Sequence, residues 1–435
     1  MARFDATRLD DQDQIMTEST NCRRPHICLT GGWFSSSNIG DQAVLLGVTD
    51  AFSSLGDPRF SVITANPAKV RAEHNLPAFA PKKSPLALLN NLAGADALVF
   101  TGGTPFYDAK PHMSYYTALA ALAHARGIPV VVFGISLRTL NSRYCRLLMQ
   151  RVAGWADFLG AREDRTLQRF SQLAEPAKVH LVPDVAVQLV PSTVERAEEL
   201  LQSAGVDPGA RRVSICLRDF RADRRFQRHH YSRAYEPASL VRYHDTVRQI
   251  IEHAVRRHDC QIVLCPMHTI APDDDRRLAE EIRNSVADAG IRRRIVPLVQ
   301  QHGPRDMKAM LGRMDANVGV RFHSLVLATS MHVPSIALAY AHKNHAWMNY
   351  IGMPTYAHDL ATLSASPLCD QLDATLAERE ALQAQLQARY AQIHQHFRHQ
   401  LDAAWRIIWP SGASSAPCDA ASPSGEQRQA SGRAA

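Results

Sequence analysis

Short, nearly continuous apolar runs alternate along most of this chain with longer segments whose apolar positions recur every three or four residues. The first pattern reads as strands buried on both faces, the second as amphipathic helices. In the first half the strands are "HICLTGG", "FSVITA", "DALVFTGG", "IPVVVFGIS", "DFLGARED" and "VHLVPDVA". Between them, "GDQAVLLGVTDAFSSLG", "SPLALLNNLAGA", "SYYTALAALAHARG" and "RYCRLLMQRVAGWA" read as helices. The pattern then restarts, with strands "RVSICLRD", "CQIVLCPMH", "RRIVPLV", "ANVGVRFHS" and "PSIALAY". The helices of this half are "VRYHDTVRQIIEHAVRRHD", "DDDRRLAEEIRNSVADAG", "RDMKAMLGRMD" and "LVLATSMHV". Alternation of this kind predicts an α/β protein of two doubly wound, Rossmann-like halves. They are expected over residues 25–192 and 209–365, joined near Pro191–Pro208.

Beyond the second half, Leu382, Leu386, Tyr390, Ile393, Phe397, Leu401 and Trp405 keep helical spacing, predicting one long helix over 371–409. It either packs on the core or joins two copies of the chain in a homo-oligomer. Residues 411–435 are rich in Ala, Ser, Gly and Pro and are expected to be disordered. Residues 1–24 are expected to be mobile.

Composition narrows the class. At 435 residues, two domains are expected. The 46% hydrophobic and 21% charged residues suit a soluble globular protein. No apolar run approaches the roughly 18 residues of a membrane span, and the polar N-terminus has no apolar signal core, so a cytoplasmic location is expected. Cys22, Cys28, Cys145, Cys216, Cys260, Cys265, Cys369 and Cys418 stand singly, with no CxxC pair. Buried free thiols fit that scatter better than a zinc ribbon or a redox pair. The net charge of +7 suggests an anionic ligand, a nucleic acid or an acidic membrane surface. Eight arginines lie between Arg211 and Arg233. Without interleaved aromatics they read as a surface or anion-facing loop rather than a nucleic-acid platform. Peripheral contact with an anionic membrane is compatible with the charge.

Candidate chemistry gathers at strand ends, where open parallel sheets bind ligands. In "NIGD", Asn38, Gly40 and Asp41 sit at a strand-to-helix transition. Glycine there lets backbone N–H groups approach an anion, and Asp41 is either a helix N-cap or a functional carboxylate. The loop is neither a Walker P-loop nor a GxGxxG fingerprint. Gly102 and Gly103 form either a tight turn or a ligand-facing wall, and Gly134, Ser136 and Arg138 follow the next strand. Asp184 either caps and braces backbone or faces the site. The second half supplies Arg218, His268, Arg321, His323 and Lys343 at equivalent strand ends. Arginine carries a donor fork suited to phosphate and carboxylate, and histidine can give a proton near neutral pH. No HExxH or carboxylate-rich pattern accompanies the histidines, so no metal is expected at the site.

Taken in order, "NIGDQAVL", "TGGTPF", "FGIS", "ARED", "PDVA", "CLRD" and "RFHSLVLA…PSIALAY…K" resemble the motif series of polysaccharide pyruvyltransferases, over roughly Ile27 to Tyr350. Thr104 stands where many relatives carry a third glycine, and Val185 where they carry alanine. The arginine-rich stretch at Arg221–Arg233 matches nothing in the family pattern. The resemblance implies a GT-B-like arrangement of the two domains and transfer of pyruvate from phosphoenolpyruvate to a saccharide, forming a ketal and releasing phosphate. It implies catalytic roles for His323 (acid), Asp41 (base or sugar-orienting group) and Arg218. Donor binding falls to Arg321, Arg218, Ser324, His268 and Lys343, and acceptor binding to Asn38, Gly40, Gly102, Gly103 and Ser136. Phosphoenolpyruvate is then a co-substrate, and no cofactor is expected. Two other enzymes fit the same residues: a relative repurposed for small-molecule biosynthesis with another acceptor or donor, and a GT-B glycosyltransferase using a nucleotide sugar. A non-catalytic scaffold would not need Asp41, Arg218 and His323 together.

Overall fold

The computed structural model describes residues 23–80, 85–220 and 237–410. The stretch 221–233, residues 1–22 and the tail 411–435 lie outside the described residues. The first sheet has seven strands: β1 (His26–Thr30), β2 (Arg59–Ile63), β3 (Ala78–Phe79), β4 (Ala97–Thr101), β5 (Val130–Ile135), β6 (Phe158–Ala161) and β7 (Val179–Leu181). The second has six: β8 (Arg212–Cys216), β9 (Gln261–Leu264), β10 (Ile295–Pro297), β11 (Ala316–Gly319), β12 (Ser335–Ala339) and β13 (Ala357–Asp359). Every pairing is parallel. Their orders are 3-2-1-4-5-6-7 and 10-9-8-11-12-13, so each sheet reverses direction once, between β1 and β4 and between β8 and β11. Chain crossovers on opposite faces leave a crevice at such a reversal, beyond the carboxyl ends of the strands. The central strands β1, β4, β5, β8, β11 and β12 are buried along their whole length, which is why they read as unbroken apolar runs.

Several elements escape the sequence pattern. The helix Pro67–His74 buries only Val70, so it carries no apolar stripe. The helix Val194–Ser203 occupies the expected joint and buries Ala197, Leu200 and Leu201. Strand β13, "AHD", is a polar edge strand. The segment "DDDRRLAEEIRNSVADAG" is two helices, Asp275–Ser285 and Ala289–Arg293, because Asp288 caps a new turn by accepting from Gly290 and Ile291 N–H. The helix expected over 371–409 is also two, Ala365–Ala377 and Arg379–Ile408, broken at Glu378.

That last helix returns to the first domain. Phe397 meets Phe133 edge-on at 5.7 Å, and Trp405 lies 6.2 Å from Phe52. Leu382, Leu386, Tyr390, Ile393 and Leu401 are buried in the same core. Each such side chain contributes on the order of 1.5–3 kcal/mol. The apolar face is therefore used on this chain's own core, not left open for a second copy. Polar contacts add to the seam between domains. Both Nη atoms of Arg305 reach Asp50, at 2.7 and 2.6 Å. Buried Lys308 donates to the carbonyls of Val187 and Leu189, and burial pushes its ammonium down to about 7. Of the six described cysteines, five are buried and none is in a disulfide, so they serve as small core residues. No described helix is long and apolar enough to cross a membrane.

Candidate active site at the domain seam

The loops after β1, β4, β8 and β11 flank the two sheet reversals, and the segment after β1 meets the segments after β9 and β11 across the seam. The contact begins at the backbone. Asn38 bridges His268, and Ile39 N–H donates to the Met267 carbonyl at 2.9 Å. The helix Ile39–Ser53 starts here, and its N-cap is Asn38, whose Oδ1 accepts from Gly40 N–H at 2.9 Å. Asp41 is thus not the cap; it lies in the first turn, where its carboxylate accepts from Ser36 Oγ at 3.0 Å. Asn38 Oδ1, expected at the acceptor, is used on the helix end.

Gly40 has a different partner from the one its residue type suggests. A Cβ built there would overlap the His323 ring and lie 2.8 Å from His323 Cβ. What glycine admits is the imidazole of the other domain, not a ligand. Gly102 likewise makes room for protein: at φ +89°, it leaves a Cβ-sized space filled by Gly32 and Phe34. Gly103 faces Asp41, whose Oδ1 is 4.0 Å from where a Cβ would sit.

His323 is in the first turn of the helix Phe322–Ser330, which begins where the sequence pattern still suggests strand. That boundary fixes its neighbours. Its Nε2 is buried without a hydrogen-bond partner and stands 3.6 Å from Asp184 Oδ2, too long for a full hydrogen bond. Asp184 accepts from Arg162 Nη1 at 2.8 Å and from Ala186 N–H at 3.0 Å. Burial raises the Asp184 carboxyl, yet His323, Arg162 and the Ala186 amide outweigh burial and hold it well below the usual carboxylate range. Asp184 therefore both caps the short 3-10 helix Val185–Gln188 and orders the site. Arg162, from "ARED", also donates Nε to Ser136 Oγ at 2.6 Å and lies over Phe322. Ser136, expected at the acceptor, is buried and serves Arg162.

Asp41 behaves in the opposite sense to Asp184. Burial raises its pKa, and His323, Ser36, Lys343 and Arg162 only partly offset that. Its folded pKa lies above the unfolded value, so the stability it gives is lost as pH rises through the folded pKa. Asp41→Asn, which keeps an acceptor for Ser36, is expected to raise the thermal midpoint near pH 7 while lowering turnover at least about 10²-fold. Melting curves and rates on one preparation check both halves.

On the second domain, Arg218, Tyr340 and Lys343 form one stack. The Arg218 guanidinium lies 4.7 Å from the Tyr340 ring centre, and Lys343 Nζ lies 5.5 Å from it and 5.1 Å from that of Phe322. Burial alone would raise the Tyr340 phenol, but Lys343 and Arg218 overcome it and pull the phenol well below its ordinary value. Tyr340 carries no signal of this in the sequence, where it reads as the last apolar residue of a strand.

Two residues expected to bind the donor are occupied. Arg321 is buried, with Nε and Nη2 on the two oxygens of Asp275 at 3.1 and 2.6 Å. Asp275 also accepts from the N–H groups of Met267 and His268, so Arg321 fixes the loop that meets Asn38. Ser324 is fully buried, and its hydroxyl donates to the Arg321 carbonyl at 2.6 Å. His268 is at the seam, its Nδ1 buried without a hydrogen-bond partner. Burial, then Arg321, holds its imidazole pKa below the ordinary value.

Two parallel-sheet domains with a cation-rich seam between their strand ends make a GT-B-like fold. The likeness to solved structures agrees on the fold. A putative UDP-N-acetylglucosamine 2-epimerase from Listeria monocytogenes superposes with a TM-score of 0.58 at 13% identity, covering 91% of this chain and 98% of that one. For a glycosyltransferase from Rickettsia africae the values are 0.56 and 10%, covering 90% and 100%. For the UDP-GlcNAc 2-epimerase from Methanocaldococcus jannaschii they are 0.53 and 12%, covering 81% and 93%. The family is more specific than the fold: residues 38–342 match the polysaccharide pyruvyl transferase pattern, and the chain belongs to that family.

Proposed function

We propose that this transferase moves the pyruvyl group of phosphoenolpyruvate onto two hydroxyls of a saccharide, giving a cyclic ketal and inorganic phosphate. The observation that carries the reading is His323. Its buried Nε2 lacks a hydrogen-bond partner, stands 3.6 Å from Asp184 Oδ2 and is near enough to Asp41 for the two charges to interact, while Asp184, Arg162 and Lys343 line a small cavity. A buried orphan donor costs about 1–3 kcal/mol, a cost that a bound substrate removes.

The chemistry assigns the roles. Phosphoenolpyruvate brings a phosphate and a carboxylate, which Arg218 and Lys343 can neutralise. Protonated His323 gives its proton to the methylene carbon, leaving an electron-poor C2 that one sugar hydroxyl attacks. Asp41, whose raised pKa makes it the stronger base, takes that hydroxyl's proton. The C2–O bond to phosphate then breaks, and the second hydroxyl closes the ketal. Of the two hydroxyl protons, one balances the new methyl group and the other leaves with phosphate.

The test is phosphate release from phosphoenolpyruvate in the presence of candidate saccharides. Release should require both substrates, and His323→Gln should keep phosphoenolpyruvate binding while lowering turnover about 10²–10⁴-fold. A wild-type rate in that variant excludes His323 as the acid.

A further inference from the structure

We propose that His253, His258 and Asp373 form a structural site for a divalent transition-metal ion of the zinc type. They are the metal-ligating group of three found among the described residues. Two helices build it, Pro237–His258 and Ala365–Ala377. His253 Nε2 and His258 Nε2 both reach the same oxygen, Asp373 Oδ1, at 2.7 and 2.6 Å. Their three ligand atoms lie within 4.8 Å of one another.

Without an ion the two imidazoles hydrogen-bond to one carboxylate oxygen, and an ion entering among the three atoms would replace those two contacts. In a tetrahedral zinc site with bonds of about 2.0–2.1 Å, ligand atoms stand about 3.4 Å apart. The two contacts to Asp373, at 2.7 and 2.6 Å, would open by about 0.7–0.8 Å to reach that spacing, and the two imidazole nitrogens already lie within 4.8 Å of each other. The three side chains are 26%, 16% and 28% exposed, so an ion can enter from solvent and a water can complete the shell.

The surrounding charges do not close the site. Arg257 takes the other oxygen, Asp373 Oδ2, at 3.2 Å, and its side chain is mostly exposed. Arg256 is paired with Glu252. Asp373 can therefore ligate through one oxygen while Arg257 holds the second.

Position decides the role. The helix Pro237–His258 follows β8 and runs back to the start of β9, so His258 lies at the amino-terminal end of the strands, opposite the strand ends that form the seam. An ion here cannot take part in pyruvyl transfer. It fastens the helix Ala365–Ala377, which leads directly into the helix packed on the first domain.

The experiment uses full-length protein, stripped with a chelator, dialysed and titrated with Zn²⁺ by calorimetry. Expected are one ion bound per chain and a higher thermal midpoint with zinc. The variants His258→Ala and Asp373→Asn should each weaken zinc at least about 10-fold. His253→Gln, which keeps a hydrogen-bond donor, guards against a folding defect: its metal-free melt should match wild type while zinc no longer raises it. Arg257→Gln should tighten binding. Absence of saturable binding, or binding undiminished when His253 and His258 are both alanine, overturns the proposal, since the chain has 20 histidines that could hold the ion elsewhere.

Discussion

Gly40→Ala is expected to lower turnover at least about 10²-fold, as much as a misplacement of about 1 Å costs an oriented reaction. The added methyl overlaps the His323 ring and stops 2.8 Å from its Cβ, so either the imidazole swings away or the helix start retreats. Neither movement breaks the Asn38 cap, in which Asn38 Oδ1 accepts from the Gly40 N–H and no Cα hydrogen takes part. The protein should therefore still fold, and the loss should fall on kcat more than on binding. A double-mutant cycle isolates the cause. With His323 already replaced by alanine the ring is gone, and Gly40→Ala should add little further loss. Equal losses in both backgrounds would show that Gly40 acts on something other than His323.

Arg321→Ala is expected to cost about 3–5 kcal/mol of stability, because it strands the buried carboxylate of Asp275. The sequence alone places Arg321 in the donor pocket, where its loss would weaken phosphoenolpyruvate and spare the fold. The structure reverses that expectation. Burial raises the Asp275 carboxyl despite Arg321 and Arg218 beside it, so without Arg321 the group should bind a proton still more readily. The variant's deficit should accordingly shrink in mild acid, and Asp275→Asn in the same chain should restore part of it. Denaturant melts at several pH values check both statements. A fully stable Arg321→Ala protein that fails to bind phosphoenolpyruvate would return Arg321 to the donor site.

Much of this was legible in the chain because burial on two faces leaves an unmistakable mark. Strands β4 and β5 are apolar throughout, and residues with chemistry can only collect where such strands end. Hence Asp41, Gly103, Arg218, His323 and Lys343 all belong to the seam. Partners were harder to read. Glycine at a helix start looks the same whether a ligand or a histidine from the other domain comes near. Arg321 meets an aspartate 46 residues away, in the first turn of a helix whose opening acids read as ordinary capping. Ser324 looked available because the strand pattern runs past Gly319, whereas the chain has already turned into helix and its hydroxyl bonds back to Arg321. Arg162 lay inside a recognised motif without a role, since only the fold brings it to Ser136 and Asp184. Tyr340 is chemically prominent through Lys343 and Arg218, while its own position is that of a core aromatic.

The central claim is that this seam holds phosphoenolpyruvate. Calorimetric titration of the purified chain with phosphoenolpyruvate, beside uridine and guanosine diphosphates, tests it most directly. Phosphoenolpyruvate should bind saturably and weaken at least about 10-fold in Lys343→Met, each lost charge-assisted contact being worth about 1.5–3 kcal/mol. Binding of a nucleotide diphosphate with none of phosphoenolpyruvate would contradict it and make the protein a glycosyl transferase.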